Sequence, residues 1–117
     1  MSRRDDKTLL RDMIEAARSA ISAIEGSEQA ALAADHVRAL GLVKCVEIVG
    51  EAAGRLSADL RTRHPEIPWH QINGMRNRLV HEYFDIDYEQ VWKALTEDLP
   101  PLIEKWETIL ADESGSE

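Results

Sequence analysis

The run RNRLVHEY at residues 76–83 sets an arginine, an asparagine, a histidine five places after the arginine and a tyrosine two further on. It closes an apolar-periodic segment. Arg76 offers a planar fork of donors that matches a phosphate and keeps its charge at any working pH. His81 is the side-chain type that changes charge near neutrality, so it can pass a proton to or from a ribose hydroxyl. Together they form a minimal kit for cutting a phosphodiester beside a 2′-hydroxyl without a metal. In that chemistry the 2′-hydroxyl attacks the adjacent phosphorus. His81 acts as general base or acid, and Arg76 neutralises charge growing on the phosphoryl oxygens. Asn77 would orient His81 or the phosphate through its amide.

The elements around this octet set what it can reach. At 117 residues the chain reads as a single domain, 1–117, with 44% hydrophobic and 31% charged residues, ordinary for a globular protein. No apolar run approaches the roughly 18 residues that a membrane helix needs. The start, MSRRDDKTLL, has no apolar stretch behind its arginines, so it does not read as a signal peptide, and the expected location is cytoplasmic. A lone cysteine, Cys45, lies in the apolar run LVKCVEIVG and reads as a buried thiol. The four histidines lack ligand-like grouping with cysteines or carboxylates, so neither a metal nor another cofactor is expected.

A net charge of −8 argues at first against nucleic acid, but the charge is unevenly spread. Residues 82–117 hold 11 acids against Lys93 and Lys105, whereas residues 61–81 hold Arg61, Arg63, Arg76 and Arg78 against Glu66 alone. That basic window also contains three of the four histidines. It permits a few phosphate contacts without demanding them.

Patterning is helical throughout. Leu9, Leu10, Met13, Ile14, Ala17, Ile21 and Ile24 recur at threes and fours, predicting a helix over about 5–25 that stops at Gly26, with Ser27 as cap for the next. A long second helix is expected over 28–62, with Leu32, Val37, Leu40, Val43, Val46, Val49, Ala53, Leu56 and Leu60 facing inward. Gly41, Gly50 and Gly54 within it suggest close approach of another backbone or a kink, with Gly50 and Gly54 read as allowing tight helix packing. Pro65 and Pro68 break the chain, and a third helix follows over 68–82. After the junction Phe84-Asp85-Ile86-Asp87, the pair Asp87 and Gln90 reads as a capping box for helix four. Pro100-Pro101 should end or sharply bend that helix, leaving a short fifth over about 101–111 and a frayed tail over 112–117. The expected fold class is all-α, an up-and-down four-helix bundle with a short fifth helix after a Pro-Pro break.

On an ideal third helix, His70, Asn73, Gly74, Asn77 and His81 form one polar stripe, but Arg76 lies roughly 140° from His81. Unwinding near His81, where Tyr83 and Phe84 approach the helix end, could bring the two groups to one phosphate. A second subunit across a two-fold axis could do the same.

Three stretches, EIVGEAAGRLS at 47–57, HPEIPWHQINGMRNRLVHEYF at 64–84 and VWKALTEDLPPL at 91–102, resemble the HEPN superfamily, specifically its HepT-like ribonuclease toxins. The family pattern of Arg, four residues, His, one residue, Tyr falls on Arg76, His81 and Tyr83. The resemblance implies a homodimeric endoribonuclease toxin acting on RNA, with Arg76 and His81 catalytic at a shared cleft and Asn73 and Asn77 in support. It also implies control by a cognate MNT-domain nucleotidyltransferase antitoxin, which would use ATP to add AMP to Tyr83. AMP on Tyr83 would take the substrate phosphate's place and repel RNA.

Plainer readings stand beside these. Arg76 could be a structural arginine paired with Glu47 or Glu51, which fit equally a solvated face or a polar cleft wall. His81 could simply favour the macrodipole at a helix C-terminus. Asn73 and Asn77 could be solvated, and Trp69, Trp92 and Trp106 read as core anchors before stacking platforms. A catalytically silent HEPN module that binds a nucleotide or RNA is therefore the alternative, and a structural dimerisation partner a further one.

Overall fold

A computed structural model describes residues 5–83 and 85–115. Met1–Arg4, Phe84 and the last two residues of the expected frayed tail lie outside them. The all-helical bundle expected from the periodicity is the fold. Helix α1 spans Asp6–Ala23 and opens where the Asp5 carboxylate accepts from the Thr8 N–H at 2.8 Å. That bond holds the Asp5 carboxyl below its ordinary value, since it favours the charged form. Leu9, Leu10, Met13 and Ala17 are buried along one side of α1, which packs on the third and seventh helices. Gly26, at φ 73°, supplies the left-handed residue that turns the chain after α1.

The long second helix expected over 28–62 is interrupted twice. It consists of α2 (Ala30–Ala34), α3 (His36–Arg55) and α4 (Ala58–Arg63). Asp35 leaves helical geometry and its carboxylate accepts from the Arg38 N–H at 3.1 Å. Ser57 does the same for α4, its Oγ accepting from the Leu60 N–H at 3.1 Å. Ser57 is also tied to α1: its N–H donates to Asp6 Oδ1 at 2.9 Å and its hydroxyl to Asp6 Oδ2 at 2.6 Å. Short polar side chains that satisfy orphan N–H groups compete with helix continuation, which is why these two positions win over the apolar period. The break at Asp35 resets the helical phase, so Val37 is 79% exposed rather than inward-facing. Ser27 caps nothing; its hydroxyl accepts from Arg38 at 3.0 Å.

The Pro-Pro break is the second correction. Helix α6 (Tyr88–Lys93) runs through a π-helical stretch, Ala94–Asp98, into α7 (Leu99–Gly115), with no separate fifth helix. A proline ring clashes with the carbonyl four residues back and removes an N–H donor. For Pro100 and Pro101 those carbonyls belong to Thr96 and Glu97, inside the π-helical stretch. Widening the ladder there lets the helix pass the prolines without ending. The tail is helical to Gly115, and Glu113 accepts from Arg63 at 2.7 Å.

Trp106 of α7 is fully buried, whereas Trp69 and Trp92 are half-buried against the core. Cys45 is half-buried as well, and burial pushes its thiol pKa up. Since the thiolate is the nucleophile, alkylation near neutral pH should be slower for Cys45 than for free cysteine. The gap should close in denaturant, as timed mass spectrometry would read.

Candidate functional site

The third helix is far shorter than the periodicity implies. Helix α5 is Trp69–Asn73; Gly74 ends it by donating its N–H to the His70 carbonyl at 3.2 Å. Met75–Arg78 then form a 3-10 turn, and buried Leu79 and Val80 lead the chain out. Val80 pairs with Ile86 in an antiparallel bridge, the His81 N–H donates to the Asp85 carbonyl at 3.0 Å, and the Asp87 N–H to the Leu79 carbonyl at 2.8 Å. Val80 and Ile86 pin this loop to the core, so His81, Glu82 and Tyr83 project outward.

Helical angles therefore do not govern Arg76 and His81. Arg76 sits on the 3-10 turn and His81 beyond it. Arg76 Nε lies 3.8 Å from Glu47 Oε2 on α3, with 41% of the Arg76 side chain exposed. Glu47 Oε1 meanwhile accepts from Lys44 at 2.9 Å. Glu51, the other candidate cleft partner, lines a hollow against α1 together with Asp12 and Arg55. A loose, half-exposed pair of this kind contributes about 0–1 kcal/mol. It holds Arg76 in place weakly enough for a phosphate to displace the carboxylate.

His81 is not a helix C-terminal histidine. Its ring is 62% exposed, with Nε2 at 3.6 Å from Asp87 Oδ2. Asp87 Oδ1 accepts from the Gln90 N–H at 3.1 Å, so one carboxylate opens α6 and faces the imidazole. Sequence reasoning saw the cap and missed the second contact. Tyr83, in the same turn, has φ 44° and is 90% exposed. A tyrosine in the left-handed region is uncommon, and such backbone strain clusters at functional sites.

The expected polar stripe divides. Asn77 is exposed on the 3-10 turn. Asn73 instead lies over α3, where its Oδ1 would be 2.9 Å from a Cβ placed on Gly54. A Cβ on Gly50 would meet the Asn73 and Ile72 carbonyl oxygens at 3.1 and 3.2 Å. Gly50 and Gly54 thus admit α5 against α3, as expected, whereas a Cβ on Gly41 would meet nothing within 4 Å, so no close approach explains that glycine. Asn73 and His70 wall an open cleft of about 490 Å³ whose floor is Ala53, Gly54 and Ala58. Arg61, Thr62 and Trp69 complete it.

Residues 13–109, most of the chain, match the family model described as "Ribonuclease HepT-like". The chain belongs to the ribonuclease HepT-like family. Among HepT-like relatives, "Putative RNase MJ1216" of Methanocaldococcus jannaschii is 31% identical over 117 residues, covering all of this chain and 97% of that protein. "Putative RNase MJ1380" of the same organism is 33% identical over 109 residues, covering 93% of this chain and 100% of its own. "Probable ribonuclease HepT" of Thermococcus cleftensis is 37% identical over 75 residues, 64% of this chain and 68% of that protein. No solved structure matches. None of the described helices of this HepT-like chain is long and apolar enough to cross a membrane.

Proposed function

We propose that this HepT-like protein is an endoribonuclease that uses Arg76 and His81 and needs no metal for the chemistry. The observation that carries the reading is that the family motif falls where the chain has left its helix. Among the described residues Arg76 there has a loose ion pair with Glu47, and His81 is presented to solvent beside Asp87. The 2′-oxygen of a ribose attacks the adjacent phosphorus, the bond to the 5′-oxygen breaks, and a 2′,3′-cyclic phosphate and a 5′-hydroxyl result. His81 moves the proton, Asp87 orients the ring, and Arg76 leaves Glu47 to balance charge on the phosphoryl oxygens. Asn77, next to Arg76 and exposed, is free to reach the same phosphate. The requirement for a 2′-hydroxyl selects RNA without base reading. A single 2′-deoxy substitution at the cut linkage is expected to abolish cleavage there; undiminished cleavage would overturn the mechanism.

Two further parts belong to the proposal: a homodimer, in which the motif segments of two copies share one cleft, and control through Tyr83 in a toxin–antitoxin pair. Exposure of the Tyr83 phenol supports the control site. An MNT-domain nucleotidyltransferase would transfer AMP from ATP to that oxygen, releasing pyrophosphate and placing anions two residues from His81. Intact mass after co-expression with such a partner should rise by AMP units, and Tyr83→Phe should lose the gain. An unchanged wild-type mass would remove the control arm and leave the nuclease standing.

Arg76 as a purely structural residue is the second reading, favoured by the contact with Glu47. It makes Glu47→Gln as damaging to stability as Arg76→Gln. The nuclease reading makes both nearly neutral to stability, and only Arg76→Gln damaging to cleavage.

A further inference from the structure

We propose that the cleft between α3, α4 and α5 is a second nucleotide subsite. There Arg61 takes a flanking phosphate of single-stranded RNA and Trp69 its base. The proposal rests on the ribonuclease reading of the neighbouring motif. Arg61 makes no ion pair among the described residues, so no carboxylate competes for it. Its Nε is sealed from solvent without a hydrogen-bond partner among the described residues, while the side chain as a whole lines the open cleft. In a chain of net charge −8, no lining residue is acidic. His70, Thr62 and Asn73 add donors around the same space. With no carboxylate paired to it, the Arg61 guanidinium brings to the cleft a fork of donors that suits a phosphate.

The apolar side suits a base. Trp69 Nε1 donates to the His64 carbonyl at 3.0 Å, which fixes the indole before any ligand arrives. A fixed aromatic face beside a cation is the arrangement that holds single strands without reading sequence. The cleft volume of about 490 Å³ falls in the range of small-ligand sites.

Position links the cleft to the motif. Helix α5 lies along α3, so that Arg76 meets Glu47 while Asn73 covers Gly54. Seven residues of α3 separate those contacts, roughly 10 Å along the seam. A strand cut near Arg76 and His81 can therefore extend into the cleft.

The test measures binding of 2′-O-methyl RNA, which lacks the attacking hydroxyl, to the full chain as a dinucleotide and as a hexanucleotide. Arg61→Gln should weaken hexanucleotide binding roughly tenfold and flatten its salt dependence by about one phosphate contact. Dinucleotide binding and the cleavage rate of an unmethylated dinucleotide should be unchanged. Thr62→Glu, at an exposed position, should act alike by placing a carboxylate in the cleft while keeping Arg61. Equal hexanucleotide affinity in wild type and both variants, or no wild-type binding, overturns the subsite. So does free AMP competing as well as the hexanucleotide. Arg61-dependent binding without any RNA cleavage would keep the subsite and sink the ribonuclease.

Discussion

His81→Ala lowers the rate of RNA cleavage by about 10²–10⁴-fold, the span that one general acid or base supplies. Arg76→Ala causes a loss of similar size, because it removes charge matched to the transition state rather than to bound substrate. The two losses should not add if, as proposed, both groups serve one event at one phosphate. Fold is not at stake in either case. His81 is mostly exposed, and Arg76 loses only a loose pair with Glu47. Melting temperature and oligomeric state should therefore match wild type. Asp87→Asn keeps an acceptor for the Gln90 N–H and loses the charge facing the ring, so its cleavage defect should be smaller than that of His81→Ala. Gel-resolved cleavage of a defined RNA by purified, unmodified protein reads all of these. Wild-type rates in both alanine variants would end the assignment of Arg76 and His81, and absence of cleavage by the unmodified wild type would leave the silent module.

The second large effect concerns the seam that places the motif. Gly50→Val is expected to destabilise by about 3 kcal/mol, the upper end of typical overpacking, and to lower the melting temperature by roughly 10 °C. The groups it strikes are the backbone oxygens of Ile72 and Asn73, which cannot swing aside as a side-chain end can. Gly41→Ala in the same helix has open space around it and should stabilise by up to about 1 kcal/mol. Opposite signs at two glycines of α3 would establish close approach, rather than helix propensity, as the reason for Gly50. Two stabilising results would show that α5 does not press on α3 as described.

Where local signals and tertiary packing agree, the sequence sufficed. The α1 period, the turn at Gly26, the Asp87 cap and tight packing at Gly50 and Gly54, though not which helix packs there, could all be read from residue types. Asp35 and Ser57 could not, because an apolar period runs through both and hides that their oxygens end one helix and start another. At Pro100-Pro101 the local rule was right about the clash and wrong about its outcome, since the π-helical stretch absorbed it. The candidate site suffered most. An angular argument that ran the third helix to residue 82 had no means of seeing the chain leave it after Asn73. The contact between His81 and Asp87 spans a loop, and the cleft around Arg61 draws on three helices. Such neighbours are made by folding and have no linear spacing to betray them.

One consequence follows from the turn that carries Tyr83. Its phenol stands clear of the packed interior, so the proposed transferase would reach it without waiting for any part of the bundle to breathe. The pace of the proposed switch would be set by collision between two folded partners, and tightening the core would not slow it.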